Sequence, residues 1–148
     1  MSDQHTYQVK LDWIKDRKGI LQSDILESKI EVVTPPEFPN GIPGLWSPEH
    51  LFVAAVNGCF MTTFLAVAEN SKLKFSKFEC NAIGTLDRVD GKFRITEITL
   101  SPILTIDDET LREKAIRVME MSDKACLISN SINSKVILQP EVLISTEG

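Results

Sequence analysis

The sequence predicts an α+β fold, antiparallel sheets with a long buried central helix, and three observations carry that expectation. Residues 7–13 and 78–82 alternate apolar and polar side chains, the period-two signature of strands with one buried face. Between them, residues 51–68 are nearly all apolar, which describes a helix with no solvated face. Asp90-Gly91 separates two strand-like runs and joins them as a hairpin. Strands, helix, hairpin, helix and strand in that order point to helices laid against antiparallel sheet.

The elements follow in chain order. After the first strand, residues 15–19 interrupt the pattern with charges and Gly19 and read as a turn. A second strand is expected over residues 20–23 and a third over 29–34. Pro35-Pro36, Pro39-Asn40-Gly41 and Pro43-Gly44 form a loop. Ser47-Pro48-Glu49 starts the long helix: Ser is an N-cap, Pro suits the first helical position, and Glu complements the dipole. The helix runs to about Glu69 and, having no polar face, must be buried on all sides. It has about the minimum length of a membrane span, but Asn57-Gly58 at its middle, the lack of basic flanks and the strands on both sides oppose that reading.

In the second hairpin the apolar residues move from Phe93 and Ile95 to Ile98 and Leu100, which predicts a bulge near Thr96 or Glu97. Asp107 and Asp108 open a second helix, with Leu111, Ala115, Val118 and Met119 at helical spacing, ending near Met121. A further helical piece is expected over residues 124–131. Residues 136–138 and 142–144 are closing strands, interrupted by Pro140.

Length and composition describe a single domain over residues 1–148, with 43% hydrophobic and 25% charged residues and hence enough apolar surface for a core. Sixteen Lys and Arg against 21 Asp and Glu, with no basic cluster, argue against nucleic acid as a partner. Three cysteines without a C-x-x-C pair, and no secretory signal in the opening residues, lead to the expectation of a cytoplasmic protein in a reducing compartment. Structural disulfides are rare there, so each cysteine raises a question of chemistry.

Cys59 lies near the middle of the apolar helix and reads either as a packing residue or as a reactive thiol. Gly58 beside it is a helix-interior glycine that costs about 1 kcal/mol relative to alanine and needs a reason. The helix dipole fades within the first turn, and burial among Phe52, Phe60, Met61 and Phe64 pushes the thiol pKa up. A functional Cys59 therefore requires a cation from elsewhere. Arg17 is the candidate, against its plainer reading as a solvated turn residue. Glu49 is a first-turn helix acid that can also orient Arg17 through a bidentate pair. Ten helical residues, about 15 Å of rise, separate it from Cys59; if both serve one site, the acid comes from a second subunit. Cys126 is either inert packing or the thiol that resolves a sulfenic acid on Cys59. Cys80 belongs to the core face of its strand. His5 and His50 are too few and too scattered for a metal site.

These residues resemble the osmotically inducible protein C and organic hydroperoxide resistance (OsmC/Ohr) family. The resemblance covers nearly the whole chain: the charged hairpin with Arg17 and Gly19, Ser47-Pro48-Glu49-His50-Leu51-Phe52, Cys59-Phe60 ten residues past the acid, the hairpin at residues 87–91, and Ala125-Cys126 followed by Ser129. It implies an OsmC-like intertwined homodimer with two active sites at the interface. The implied activity is thiol-dependent reduction of organic hydroperoxides, with hydrogen peroxide a further candidate substrate, in oxidative-stress defence, with no metal or flavin and with an external dithiol or lipoyl-type reductant. Cys59 would be the peroxidatic nucleophile, Cys126 the resolving thiol, Arg17 the cation that stabilises the thiolate and polarises the peroxide, and Glu49 the group that holds Arg17. Many members carry proline after the second cysteine, where this chain has Leu127, and His50 replaces a common glutamine or glutamate. The alternative is a small-molecule or lipid binding protein of the same fold without turnover. Cysteine-based acyl transfer is weaker because no histidine is placed as general base.

Overall fold

In the computed structural model, which describes residues 3–145, the apolar run forms one uninterrupted 23-residue helix, α1 (Pro48–Asn70). Ser47 starts it as expected: its fully buried hydroxyl accepts the His50 N–H at 3.1 Å and its carbonyl accepts the Leu51 N–H at 3.0 Å. The chain divides into two compact units, Met1–Leu51 and Phe52–Gly148.

The first unit is a three-stranded antiparallel sheet of β1 (Lys10–Lys15), β2 (Lys18–Gln22) and β3 (Ile30–Val33), in that order. The turn between β1 and β2 is Asp16-Arg17, with Asp16 at φ 49°. Gly19 lies in β2 opposite Trp13 rather than in the turn. A Cβ there would come within 3.0 Å of both Asp12 O and Leu11 Cδ1, so close strand approach accounts for this glycine. The alternating face of β1 is not buried as expected: Leu11 and Trp13 are 59% and 74% exposed, because nothing in this unit covers an edge strand on that side. In the proline-rich loop, Phe38 N–H donates to Pro35 O, Gly41 N–H to Phe38 O and Ile42 N–H to Thr34 O.

The second unit is built on the hairpin of β4 (Lys77–Val89) and β5 (Lys92–Ile106). Asp90 and Gly91 both have positive φ, 51° and 78°, as a two-residue type I′ turn requires. Thr85 pairs with Glu97 and Leu86 with Ile95, which leaves Thr96 as the extra residue of a bulge where the apolar phase changes. A 3-10 turn (Glu109–Leu111), capped by Asp108 Oδ1 accepting the Thr110 N–H at 3.0 Å, leads into α2 (Arg112–Ala125). The chain then returns as β6 (Lys135–Leu138) and β7 (Glu141–Ile144). Both pair parallel with β5, so this sheet is mixed and not purely antiparallel. The reason is the α2 crossover, which returns the chain to β5 in the same direction. Pro140, unable to donate to the ladder, divides the returning edge in two.

Within the second unit, Val56, Phe60, Phe64 and Ala68 form one line of α1 at four-residue spacing and are fully buried against Ile98, Leu100, Leu104 and Ile106 of β5 and Ala115, Val118 and Met119 of α2. Phe64 stacks on Phe78 at 4.6 Å. Gly84 lets α1 sit close to the sheet, since a Cβ there would lie 2.5 Å from Val53 Cγ2. The opposite side of α1 departs from expectation. Ala55, Gly58, Met61, Thr62 and Leu65 are exposed, so the chain buries one side of this helix and not all of it. By length and composition alone α1 is apolar enough to cross a membrane.

Candidate functional site

Two of the four expected site residues meet in the second unit. Cys59 is half-buried on α1, its sulfur 3.9 Å from the Thr63 hydroxyl one turn further along. Cys126 is fully buried. It does not lie in a helical segment as expected: α2 ends at Ala125, and Cys126 is its C-cap, with φ -66° and ψ 115°. That extended residue brings its thiol beside Cys59, close enough for each to influence the ionisation of the other.

The loop behind Cys126 is fixed by its own polar residues. Asn130 donates its side-chain amide to Lys124 O at 3.2 Å and its N–H to Cys126 O at 3.1 Å. Ser131 donates its hydroxyl to Leu127 O at 2.9 Å and its N–H to Ile128 O at 2.9 Å. The first of these satisfies a carbonyl that the end of α2 leaves open, and the other three close the turn that follows it.

The two thiols are shifted in opposite directions. At Cys59 burial is the largest single influence and raises the pKa, as expected, but donors outweigh it. The Ile128 N–H, the Cys126 thiol, the Thr63 hydroxyl and the Leu127 N–H together hold the group below its ordinary value. A cation was expected to be needed at Cys59; the donors around it, from α1 and from the segment that follows α2, lower its pKa without one. At Cys126 burial raises the pKa, and the hydrogen bond to Cys59 and its nearby negative charge add to the rise, while the hydroxyl and N–H of Ser129 oppose it. Cys59 is therefore the more readily ionised of the two.

Cys80 stays with Phe78 and Ala82 at the edge of the core, and burial pushes its thiol up to about 11, which leaves it unreactive near neutrality. Asn57, the polar interruption in α1, ties the helix to β4 by donating to Cys80 O at 3.0 Å. Gly58 has no packing reason within the chain, since a Cβ there meets nothing within 4 Å.

Arg17 and Glu49 meet in the first unit, where they line one cavity of about 340 Å³ with Leu11, Trp13, Val33 and Phe38. They form no ion pair with each other among the described residues. Glu49 and Cys59 lie ten residues apart on an unbroken α1, a rise of about 15 Å. His50 Nδ1 is 2.7 Å from Ser47 Oγ, which commits this histidine to the helix cap. Among the described residues no three His, Cys, Asp or Glu side chains group closely enough to hold a metal ion. Sequence reasoning missed Thr63 and the 127–131 loop; a threonine one helical turn past a cysteine was the only local signal.

Comparison with known proteins places this arrangement. An uncharacterised protein of Bacillus subtilis, YmaD, is 24% identical over 153 residues, covering 100% of this chain and 99% of that protein. Among solved structures, an OsmC-like protein of unknown function from Vibrio cholerae superposes with a TM-score of 0.82 at 21% identity, over 93% of this chain and 99% of that one. The organic hydroperoxide resistance protein OsmC of Legionella pneumophila gives 0.74 at 21%, over 95% and 100%. OhrB, an organic hydroperoxide resistance protein of Bacillus subtilis, gives 0.68 at 23%, over 92% and 98%. At these identities the likeness is one of fold. A family model described as OsmC-like protein matches residues 41–141, a span that contains α1, the β4–β5 hairpin and both thiols of the pair, and the chain belongs to the OsmC-like family.

Proposed function

We propose that the protein is a cysteine-based peroxidase that reduces organic hydroperoxides in defence against oxidative stress. The observation that carries this reading is the juxtaposition of Cys59 and Cys126, whose pKa values are shifted in opposite directions. The organic hydroperoxide resistance proteins among its structural relatives support the substrate class.

In this reading the Cys59 thiolate attacks the terminal oxygen of the hydroperoxide. The new S–O bond forms as the O–O bond breaks, and the departing alkoxide takes a proton to become alcohol. Cys59 is left as a sulfenic acid and no longer carries the negative charge that kept Cys126 protonated. The Ser129 donors then favour the Cys126 thiolate, which forms the disulfide as water leaves. An external dithiol, a small molecule or a lipoyl-type group, reduces the disulfide by exchange and is itself oxidised. No metal or flavin takes part.

Arg17 is assigned to stabilising the thiolate and polarising the peroxide, and Glu49 to holding Arg17. The helical rise between Glu49 and Cys59 supports a site completed by a second subunit, in an intertwined homodimer. The exposed side of α1, the uncovered face of β1 and the otherwise unexplained Gly58 support the same assembly. We place the protein in the cytoplasm, where such a dithiol is available. The rival reading, a binding protein for a small molecule or lipid without turnover, draws on the mainly apolar cavity that Arg17 and Glu49 line.

One experiment separates the two. Reduced protein is treated with cumene hydroperoxide and its intact mass is measured. A peroxidase loses about two hydrogens as the disulfide forms, Cys126→Ser stops at a sulfenic acid, and Cys59→Ser consumes no peroxide. Absence of oxidation, or oxidation unchanged in Cys59→Ser, refutes the peroxidase reading.

A further inference from the structure

Two consecutive residues at the end of β3 fix the main chain on both sides of the cavity that Arg17 and Glu49 line. Thr34 donates its N–H to Arg17 O at 3.2 Å, and Val33 donates its N–H to Trp46 O at 2.9 Å, beside an isolated bridge between Val32 and Trp46. Only the step from Trp46 to the Glu49 side chain lies outside that frame. Glu49 sits in the first turn of α1 and has no ion-pair partner among the described residues. Its direction therefore depends on how firmly that turn is started.

Ser47 starts it, and its hydroxyl is fully buried with two partners among the described residues, both on His50. The His50 N–H donates to it at 3.1 Å, and His50 Nδ1 lies 2.7 Å away. Nδ1 is thus the one acceptor for the hydroxyl hydrogen, which assigns the ring proton of neutral His50 to Nε2. A proton on Nδ1 would face Ser47 with two donors and leave the buried hydroxyl hydrogen without an acceptor. In the usual capping box a glutamate or glutamine at this position reaches back to the main-chain N–H of the cap. Here the cap is tied instead to an imidazole, the side chain whose charge ordinarily changes between about pH 5 and 8. The ring is exposed, meets Trp46 edge-on at 6.3 Å and otherwise adjoins Gly44 and Leu45. None of these neighbours titrates, and Glu49 is the one charged residue in the turn.

We propose that His50 is a positioning residue for Glu49. With Nδ1 unprotonated it accepts the buried Ser47 hydroxyl, locks the first turn of α1 behind Trp46, and holds the Glu49 carboxylate at the cavity shared with Arg17; protonation of Nδ1 releases the lock. The inference rests on the reading of Glu49 as the group that holds Arg17, and adds the residue that holds Glu49.

Two measurements on the whole chain test the lock without reference to peroxide. Long-range 1H–15N correlation of the imidazole identifies its tautomer. Amide hydrogen exchange at residues 50 and 51, whose N–H groups bond Ser47 Oγ and O, reports how firmly the turn is held. At about pH 8 His50 is expected to carry its proton on Nε2. His50→Ala, which leaves no buried gap because the ring is exposed, is expected to lower protection of both amides roughly fivefold, as loss of a helix cap does. His50→Asn puts an untitratable acceptor the same number of bonds from Cα and is expected to restore protection. Wild-type protection should fall toward the His50→Ala level as pH drops from about 8 to 5, while that of His50→Asn stays level. A proton on Nδ1 at the upper pH, or protection in His50→Ala equal to wild type, overturns the lock. Turnover of cumene hydroperoxide tests the link to Glu49: His50→Ala should lower kcat/KM in the wild-type background and do nothing further in Glu49→Ala. An undiminished effect in Glu49→Ala overturns the positioning role. The lock in a protein that consumes no hydroperoxide supports the hold on the turn and removes the peroxidase reading, whereas an active peroxidase with a proton on Nδ1 does the opposite.

Discussion

Replacing Gly84 by alanine tests how closely α1 rests on the sheet that supports the thiol pair. The added Cβ lies 2.5 Å from Val53 Cγ2, whereas ordinary contact begins at 3.4 Å, so roughly an ångström of separation has to be found. Val53 cannot swing aside at low cost, because a β-branched side chain in a helix has one strongly preferred χ1 rotamer. Either α1 or β4 must therefore move, which costs about 1–3 kcal/mol as overpacking. Removal of a strand glycine returns about 0.5–1 kcal/mol of backbone entropy. The net expectation is a loss of roughly 0.5–2 kcal/mol, or a few degrees in melting temperature for a chain of this length. Urea unfolding of wild type, Gly84→Ala, Val53→Ala and the double variant measures it. The two substitutions should couple, with Val53→Ala relieving most of the penalty of Gly84→Ala. A Gly84→Ala protein as stable as wild type, or a double variant whose losses simply add, refutes the close approach inferred from the coordinates.

Gly58 faces open space in the single chain, so Gly58→Leu should leave the fold intact and dissociate the proposed dimer in sedimentation velocity. An unchanged dimer locates the interface on another face. Cys80 makes a separate prediction about alkaline pH. Its unfolded thiol ionises near 9.0 and its folded thiol near 11, so between those values the folded state holds the additional proton and stability falls as pH rises. The difference in urea midpoint between wild type and Cys80→Ala should therefore change across that window and stay constant below it. A difference that does not move there refutes the burial argument.

Much of this protein is legible locally. The Ser47 cap, the Asp90-Gly91 turn, the Thr96 bulge and the spacing of Phe60 and Phe64 depend on residues within a few positions of one another. Backbone sterics and side-chain periodicity therefore determine them in the sequence itself. That Cys59 and Cys126 come together was suggested by the family resemblance, and that Cys80 packs against the core by the alternation of its strand. Other properties were decided only when distant segments met. Parallel pairing of β6 and β7 with β5 depends on the direction in which the α2 crossover returns the chain. Whether an apolar face is covered depends on what packs there, so residue type alone gave no warning that β1 and one side of α1 lie open. The ionisation of Cys59 is the sharpest case. Its own helix supplies burial, which opposes a thiolate, and the donors that prevail come chiefly from a loop more than sixty residues later. Residue names carry no record of which distant segment will meet a thiol; the turn that closes α2, held by Asn130 and Ser131, decides it.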